Sequence, residues 1–82
     1  MLIRIIHDEN SKYILNYIPE DIEVEIYNID FDKEKKKAIP IMVRNGTRNV
    51  PLITLVENGE ETKVIWSETN PDWEKEIKKL LR

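Results

Sequence analysis

A chain of 82 residues with no cysteine and a single histidine excludes disulfides, thiol nucleophiles and cysteine- or histidine-built metal centres at once. At this length about 60–65% of the unfolded surface is buried, enough for one domain spanning residues 1–82 around a small core. The formal net charge of −3 is segregated: residues 33–48 carry six basic residues against one acidic, a balance of +5, which leaves −8 for the remainder.

Leu2 to Ile6 is a near-continuous apolar run and predicts a strand buried on both faces, not a signal peptide, since it is short and lacks a basic start. His7-Asp8-Glu9-Asn10-Ser11 supplies helix-capping residue types. Tyr13, Ile14, Tyr17 and Ile18 then mark one face of a short helix that Pro19 ends. Ile22 to Ile26 alternates apolar and acidic residues, the pattern of a half-exposed edge strand. Asp32 is expected to cap a second helix running to Asn45-Gly46, with Pro40 kinking or splitting it and pushing Ile39 out of helical geometry. Pro51 to Val56 and Thr62 to Trp66 flank Asn58-Gly59, a type I′ turn pair, and predict an antiparallel hairpin whose spacing leaves room for a bulge. Asn70-Pro71-Asp72 reads as N-cap, first-turn proline and helix-dipole acid, followed by a stripe of Trp73, Ile77, Leu80 and Leu81. The order is βαβαββα. It predicts an α/β fold with a four-stranded mixed sheet, helices on both faces and the first two strands parallel.

That order, the polar loop before the first helix, Val50-Pro51 after a basic helix and the final hairpin and helix together resemble the thioredoxin-like superfamily in its minimal glutaredoxin form. The likeness spans nearly the whole chain. Arg48-Asn49-Val50-Pro51 is similar to the family's Thr-Val-Pro approach, with Asn49 in place of threonine and a proline that in the family is usually cis. Asn10-Ser11-Lys12-Tyr13 occupies the place of the family's Cys-Pro-Tyr-Cys, and Trp66-Ser67-Glu68-Thr69-Asn70 lacks the glycine pair and acid that many glutaredoxins place after the last strand. Thiol–disulfide exchange needs a thiolate attacking a sulfur, so this chain has no means of performing it.

The resemblance therefore implies a binding surface without a catalytic residue. It consists of Asn10, Ser11, Lys12 and Tyr13, of Val50 and Pro51, and of Ser67, Glu68 and Thr69, holding an extended partner segment by strand addition at Val50. His7, Asp8 and Ser11 spell a Ser-His-Asp set, but sequence neighbours rarely converge into a triad. A surface or capping role is expected for His7, and helix capping for Ser11. Tyr13 is expected half in the core and half at the rim, Trp73 in the core, and Trp66 packed at a strand end.

A redox-inactive, cytoplasmic protein-binding domain is the leading expectation, with no cofactor, no metal and no membrane partner. The alternatives are a glutaredoxin relative with residual glutathione-type ligand binding, and a basic segment at 33–48 that binds nucleic acid or an acidic partner. Only Phe31 adjoins that segment, so the basic-plus-aromatic mix of single-strand binders is absent, and an acidic protein partner is preferred over nucleic acid. Richness in isoleucine, lysine, glutamate and asparagine fits an AT-rich genome such as that of a bacterium, a phage or an archaeal virus.

Overall fold

Four strands form one mixed sheet, with the first strand between the second and the third and the fourth outermost beside the third, in a computed structural model that describes residues 1–81. Strand β1 (Leu2–His7) lies inside the sheet, parallel to β2 (Val24–Asn28) and antiparallel to β3 (Leu52–Glu57), and β4 (Glu60–Trp66) closes the far edge against β3. Because β1 and β3 are central, their side chains are covered on both faces. Ile3, Ile5, Ile53, Leu55 and Ile65 pack under Ile14, Ile77 and Leu80. On the opposite face Ile6 and Leu52 pack under Ala38, Ile41 and Met42 of helix α1 (Asp32–Arg44). Each fully buried isoleucine contributes about 1.5–3 kcal/mol of transfer free energy, and this is what holds the helices on both faces.

The Asn58-Gly59 turn forms as its residues dictate, with φ values of 53° and 79°. The strands extend further than the sequence pattern suggests: Glu57 pairs with Glu60, so the loop is two residues long. The register shift lies inside the hairpin, where Thr62 of β4 has no partner between the Val56–Glu61 and Leu55–Lys63 pairs. Gly46, at φ 71°, ends α1 through two tightening bonds, from its own N–H to the Val43 carbonyl and from Thr47 N–H to the Met42 carbonyl.

Several expectations are corrected. The first helix is a six-residue 3-10 helix (Lys12–Tyr17), and its buried side is Ile14 with Leu15 and Ile18. Tyr13 and Tyr17 lie on the exposed side of this helix. Pro40 does not split α1, and Ile39 stays helical. Ala38, Ile41 and Met42 anchor the turns on either side of the proline, and this packing outweighs the one backbone bond it removes. Asp32 is the first helical residue and Phe31 occupies the cap position without a side-chain bond. The last helix, α2 (Trp73–Leu80), is capped by Asp72, whose carboxylate accepts from Lys75 N–H. Asn70 instead adopts left-handed geometry at φ 51° after a short 3-10 turn (Ser67–Thr69), leaving Pro71 outside the helix. Trp73 is half-buried at the edge of the core.

Thr54, in the middle of β3, is buried with no hydrogen-bond partner for its hydroxyl among the described residues. Thr54→Val replaces that hydroxyl by a methyl of the same shape and removes a desolvation penalty. It is expected to raise stability by about 1 kcal/mol, read as a higher urea midpoint at unchanged slope. A lower midpoint would mean that the hydroxyl is satisfied, for instance by a bound water.

Candidate functional site

The sheet register sets three loops at one end of the molecule. Strand β1 ends there at His7, β3 begins there directly after Pro51, and β4 ends there at Trp66, because Ile6 pairs with Leu52 and Leu52 with Trp66. The loops carrying Asn10–Tyr13, Val50-Pro51 and Ser67–Thr69 therefore leave the same sheet end. Among the described residues no hydrogen bond links residues 10–13 to 50–51 or to 67–69.

Two polar braids hold the three loops. Ser11 turns inward: its hydroxyl donates to Asp8 Oδ1 at 2.7 Å, its N–H donates to the same oxygen at 2.8 Å, and its Oγ accepts from Asp8 N–H at 3.0 Å. These bonds, led by the Ser11 hydroxyl, hold the Asp8 carboxyl below its ordinary range. Ser11 is thus a loop brace with no side-chain bond to the helix it precedes, which corrects the capping expectation. His7 is buried, against the expectation of a surface role, and its Nδ1 donates to the Asp8 carbonyl at 2.8 Å. With Ser11 Oγ bound to Asp8 and the imidazole bound to a backbone oxygen, the three residues do not form a charge-relay arrangement. Asn10, Lys12 and Tyr13 remain exposed at the loop surface.

The second braid joins the segment before Pro51 to the loop after β4. Thr47 is buried, donates its hydroxyl to Glu68 and accepts from Asn49 N–H at 3.1 Å, while Asn49 Nδ2 donates to Glu68 Oε1 at 3.1 Å. The Thr47 hydroxyl is the largest cause holding the Glu68 carboxyl low. Glu68 therefore positions the approach to Val50, and its carboxylate is already engaged on the side facing that segment. Thr69 closes its own turn by donating to the Trp66 carbonyl, and the Trp66 indole N–H donates to the Asn45 carbonyl at 2.8 Å, although the ring is more than a third exposed. The Val50–Pro51 peptide bond is cis, Pro51 is buried and Val50 is half-buried. No backbone–backbone bond among the described residues uses the Val50 N–H or carbonyl. That leaves one donor and one acceptor free at the mouth of β3.

A polar network missed by the sequence reading lies on the α1 face, away from these loops. Arg4 of β1 donates through Nε to Glu25 of β2 at 2.8 Å and reaches Glu61 of β4 at 3.6 Å. Tyr27 donates to Glu25, and Glu61 accepts from Arg44 and from Asn45 Nδ2 at 2.7 Å. The Tyr27 hydroxyl, then Arg4, holds the Glu25 carboxyl low, and the same bond raises the Tyr27 phenol. Burial pushes Glu61 up, but Asn45, Arg44 and Arg4 outweigh it, so its carboxyl lies low as well. The available signal was Arg4 itself, a lone cation inside an apolar strand, which needs an anion once the strand is buried. Thr47 had no such signal, because its burial follows from the chain path after Gly46.

Among the described residues no group of three or more histidines, aspartates or glutamates gathers as metal ligands, and no helix is long and apolar enough to cross a membrane. The chain is cysteine-free, and its architecture is α/β with a four-stranded mixed open sheet. No family model, no curated protein and no solved structure matches it.

Proposed function

We propose that the chain is a thioredoxin-like domain of the minimal glutaredoxin type that binds an extended segment of a partner protein and carries no thiol chemistry. The strand order, the parallel first pair, the antiparallel remainder and helical cover on both faces support this build. The observation that carries the binding reading is Val50. Its N–H and carbonyl are unused at the start of a strand whose neighbouring loops are all braced in place. An extended peptide pairing there gains main-chain hydrogen bonds at little ordering cost to the host, because Thr47, Asn49 and Glu68 already hold the segment. Asn10, Lys12 and Tyr13 form the exposed bank on the other loop, and Ser67 and Thr69 flank the third.

The test is a titration with a panel of short extended peptides, followed by the amide signals of Asn10, Lys12, Tyr13, Val50 and Leu52. Shifts are expected at those residues, and Val50→Pro, which removes the donor, is expected to weaken binding by about three- to tenfold, the worth of one net hydrogen bond. Unperturbed signals there, with shifts confined to other parts of the molecule, would reject the assignment.

A further inference from the structure

A concave groove of about 320 Å³ runs along the flank of α1 that faces the loop end of the sheet, lined by Ile29, Lys35, Ile39, Met42, Val43, Thr47 and Arg48. Its apolar wall is unusual for the outer side of a lysine-rich helix. Ile39 is 45% exposed and Val43 71% exposed, although most other outward positions of α1 are charged. Isolated exposed aliphatics are ordinary, but here they share one hollow with Ile29 and Met42. The only charged residues lining that hollow are cationic, Lys35 and Arg48, and neither belongs to an ion pair among the described residues. The surrounding segment carries +5 on a body of −8.

Together these observations specify the occupant's chemistry. Apolar walls take aliphatic side chains, and two unpaired cations at the rim take carboxylates next to them. Bases would find no aromatic ring to stack on in this groove, which disfavours a single-stranded nucleic acid. The aliphatics line a concavity, whereas a bilayer requires an apolar face that stands proud. Arg48 lines the groove and is two residues from Val50, so the groove lies next to the backbone groups that Val50 leaves unused.

We infer that the groove formed by Ile29, Lys35, Ile39, Met42, Val43, Thr47 and Arg48 selects, for the partner segment, a peptide that alternates aliphatic and acidic side chains. The inference rests on the binding reading above and supplies its specificity. Lys35 and Arg48 read the carboxylates. Ile39 and Val43 cover the aliphatic side chains and exclude water from the ion pairs, which strengthens them.

The experiment uses a short labelled peptide with Leu-Glu-Leu-Asp at its centre, a Leu-Lys-Leu-Lys counterpart and a Ser-Glu-Ser-Asp counterpart, read by fluorescence anisotropy. The first is expected to bind about tenfold more tightly than either counterpart, and more weakly as salt rises. The double variant Lys35→Glu with Arg48→Glu is expected to reverse the preference toward the lysine peptide. Lys35 and Arg48 are exposed, so the double variant is expected to fold, with an unchanged circular dichroism spectrum as the check. Ile39→Ser is expected to weaken binding of both leucine peptides. Amide signals of Lys35, Ile39, Val43 and Arg48 report the groove, and those of Val50 and Leu52 report strand pairing. Groove shifts without Val50 shifts would uphold the groove and overturn strand addition. Val50 shifts with a charge preference untouched by the double variant would overturn the groove alone. Equal affinity for the acidic and lysine peptides would also overturn it. So would a reversal-sensitive interaction seen only with an oligonucleotide, with anionic phosphatidylserine vesicles or as self-association in sedimentation.

Discussion

Ile53→Ala is expected to lower the unfolding free energy by about 2–5 kcal/mol, the range for truncating a fully buried isoleucine. Ile53 has no exposed surface, its strand is paired on both sides, and its cross-strand partners are Ile5 and Ile65. It packs in the cluster that joins the sheet to Ile14 and to Ile77 and Leu80 of α2. The cavity left by truncation would lie under both helices on that face, where neither element can collapse into it without losing its own contacts. A domain of this size has roughly 0.05–0.15 kcal/mol of stability per residue, so the loss is a large share of the whole. Val43→Ala, at an exposed position, is the matched control and is expected to stay within about 0.5 kcal/mol. Urea titration followed by tryptophan fluorescence measures both. A loss below about 1 kcal/mol for Ile53→Ala, against that range, would mean that the sheet is not packed tightly on this face.

Arg4→Met is expected to cost about 1–3 kcal/mol at neutral pH and much less near pH 3. The aliphatic stem is kept while Glu25 and Glu61 lose a shared cation. The low end of that range reflects solvent screening, since Glu25 is a third exposed, and Glu61 keeps Arg44 and Asn45. The pH dependence follows from the direction of the shifts. Both carboxyls lie lower in the folded protein than in the unfolded chain, so the unfolded chain takes up protons first as pH falls. Their stabilisation is complete above the ordinary glutamate range near pH 4.3 and is lost as pH drops through the lower folded values. Tyr27 adds an alkaline counterpart, because its raised phenol stabilises the fold below about pH 10 and the contribution fades above it. Urea midpoints at pH 7, 5, 4 and 3 would show a shallower acid slope for Arg4→Met than for the parent chain. Parallel slopes would mean that Arg4 does not set the two carboxyls.

The elements that were legible in the sequence are those governed by local backbone chemistry. Asn58-Gly59 and Gly46 take positive φ because few other residues do so at low cost, and both stand where the chain reverses or a helix stops. The apolar run Leu2–Ile6 placed the inner strand, and the alternation around Val24–Ile26 placed the edge strand. Where two residues competed for one task, local chemistry did not choose between them. Asn70 and Asp72 are both good caps, and the selection of Asp72 follows from where Ile77 and Leu80 must sit against the sheet. Pro40 reads as a breaker from the sequence alone, which does not show that Ala38, Ile41 and Met42 hold the helix to Ile6 and Leu52.

For the three loops, the placement at one sheet end was legible and the condition of their side chains was not. The positions of Asn10–Tyr13, Val50-Pro51 and Ser67–Thr69 follow from the order of the elements, which puts all three loops at one sheet end. Ser11 facing Asp8, Glu68 spent on Thr47 and Asn49, and Val50 left with free backbone groups are outcomes of tertiary hydrogen bonding between segments up to 21 residues apart.

By itself the sequence determined what this protein lacks, thiols and an imidazole cluster, and where its chain turns, because composition and backbone preference act residue by residue. The tertiary structure decided which polar side chains are already engaged and which are left without a partner in the fold. A side chain's availability depends on neighbours that only the folded packing of β1, α1 and the loop before β3 brings within reach.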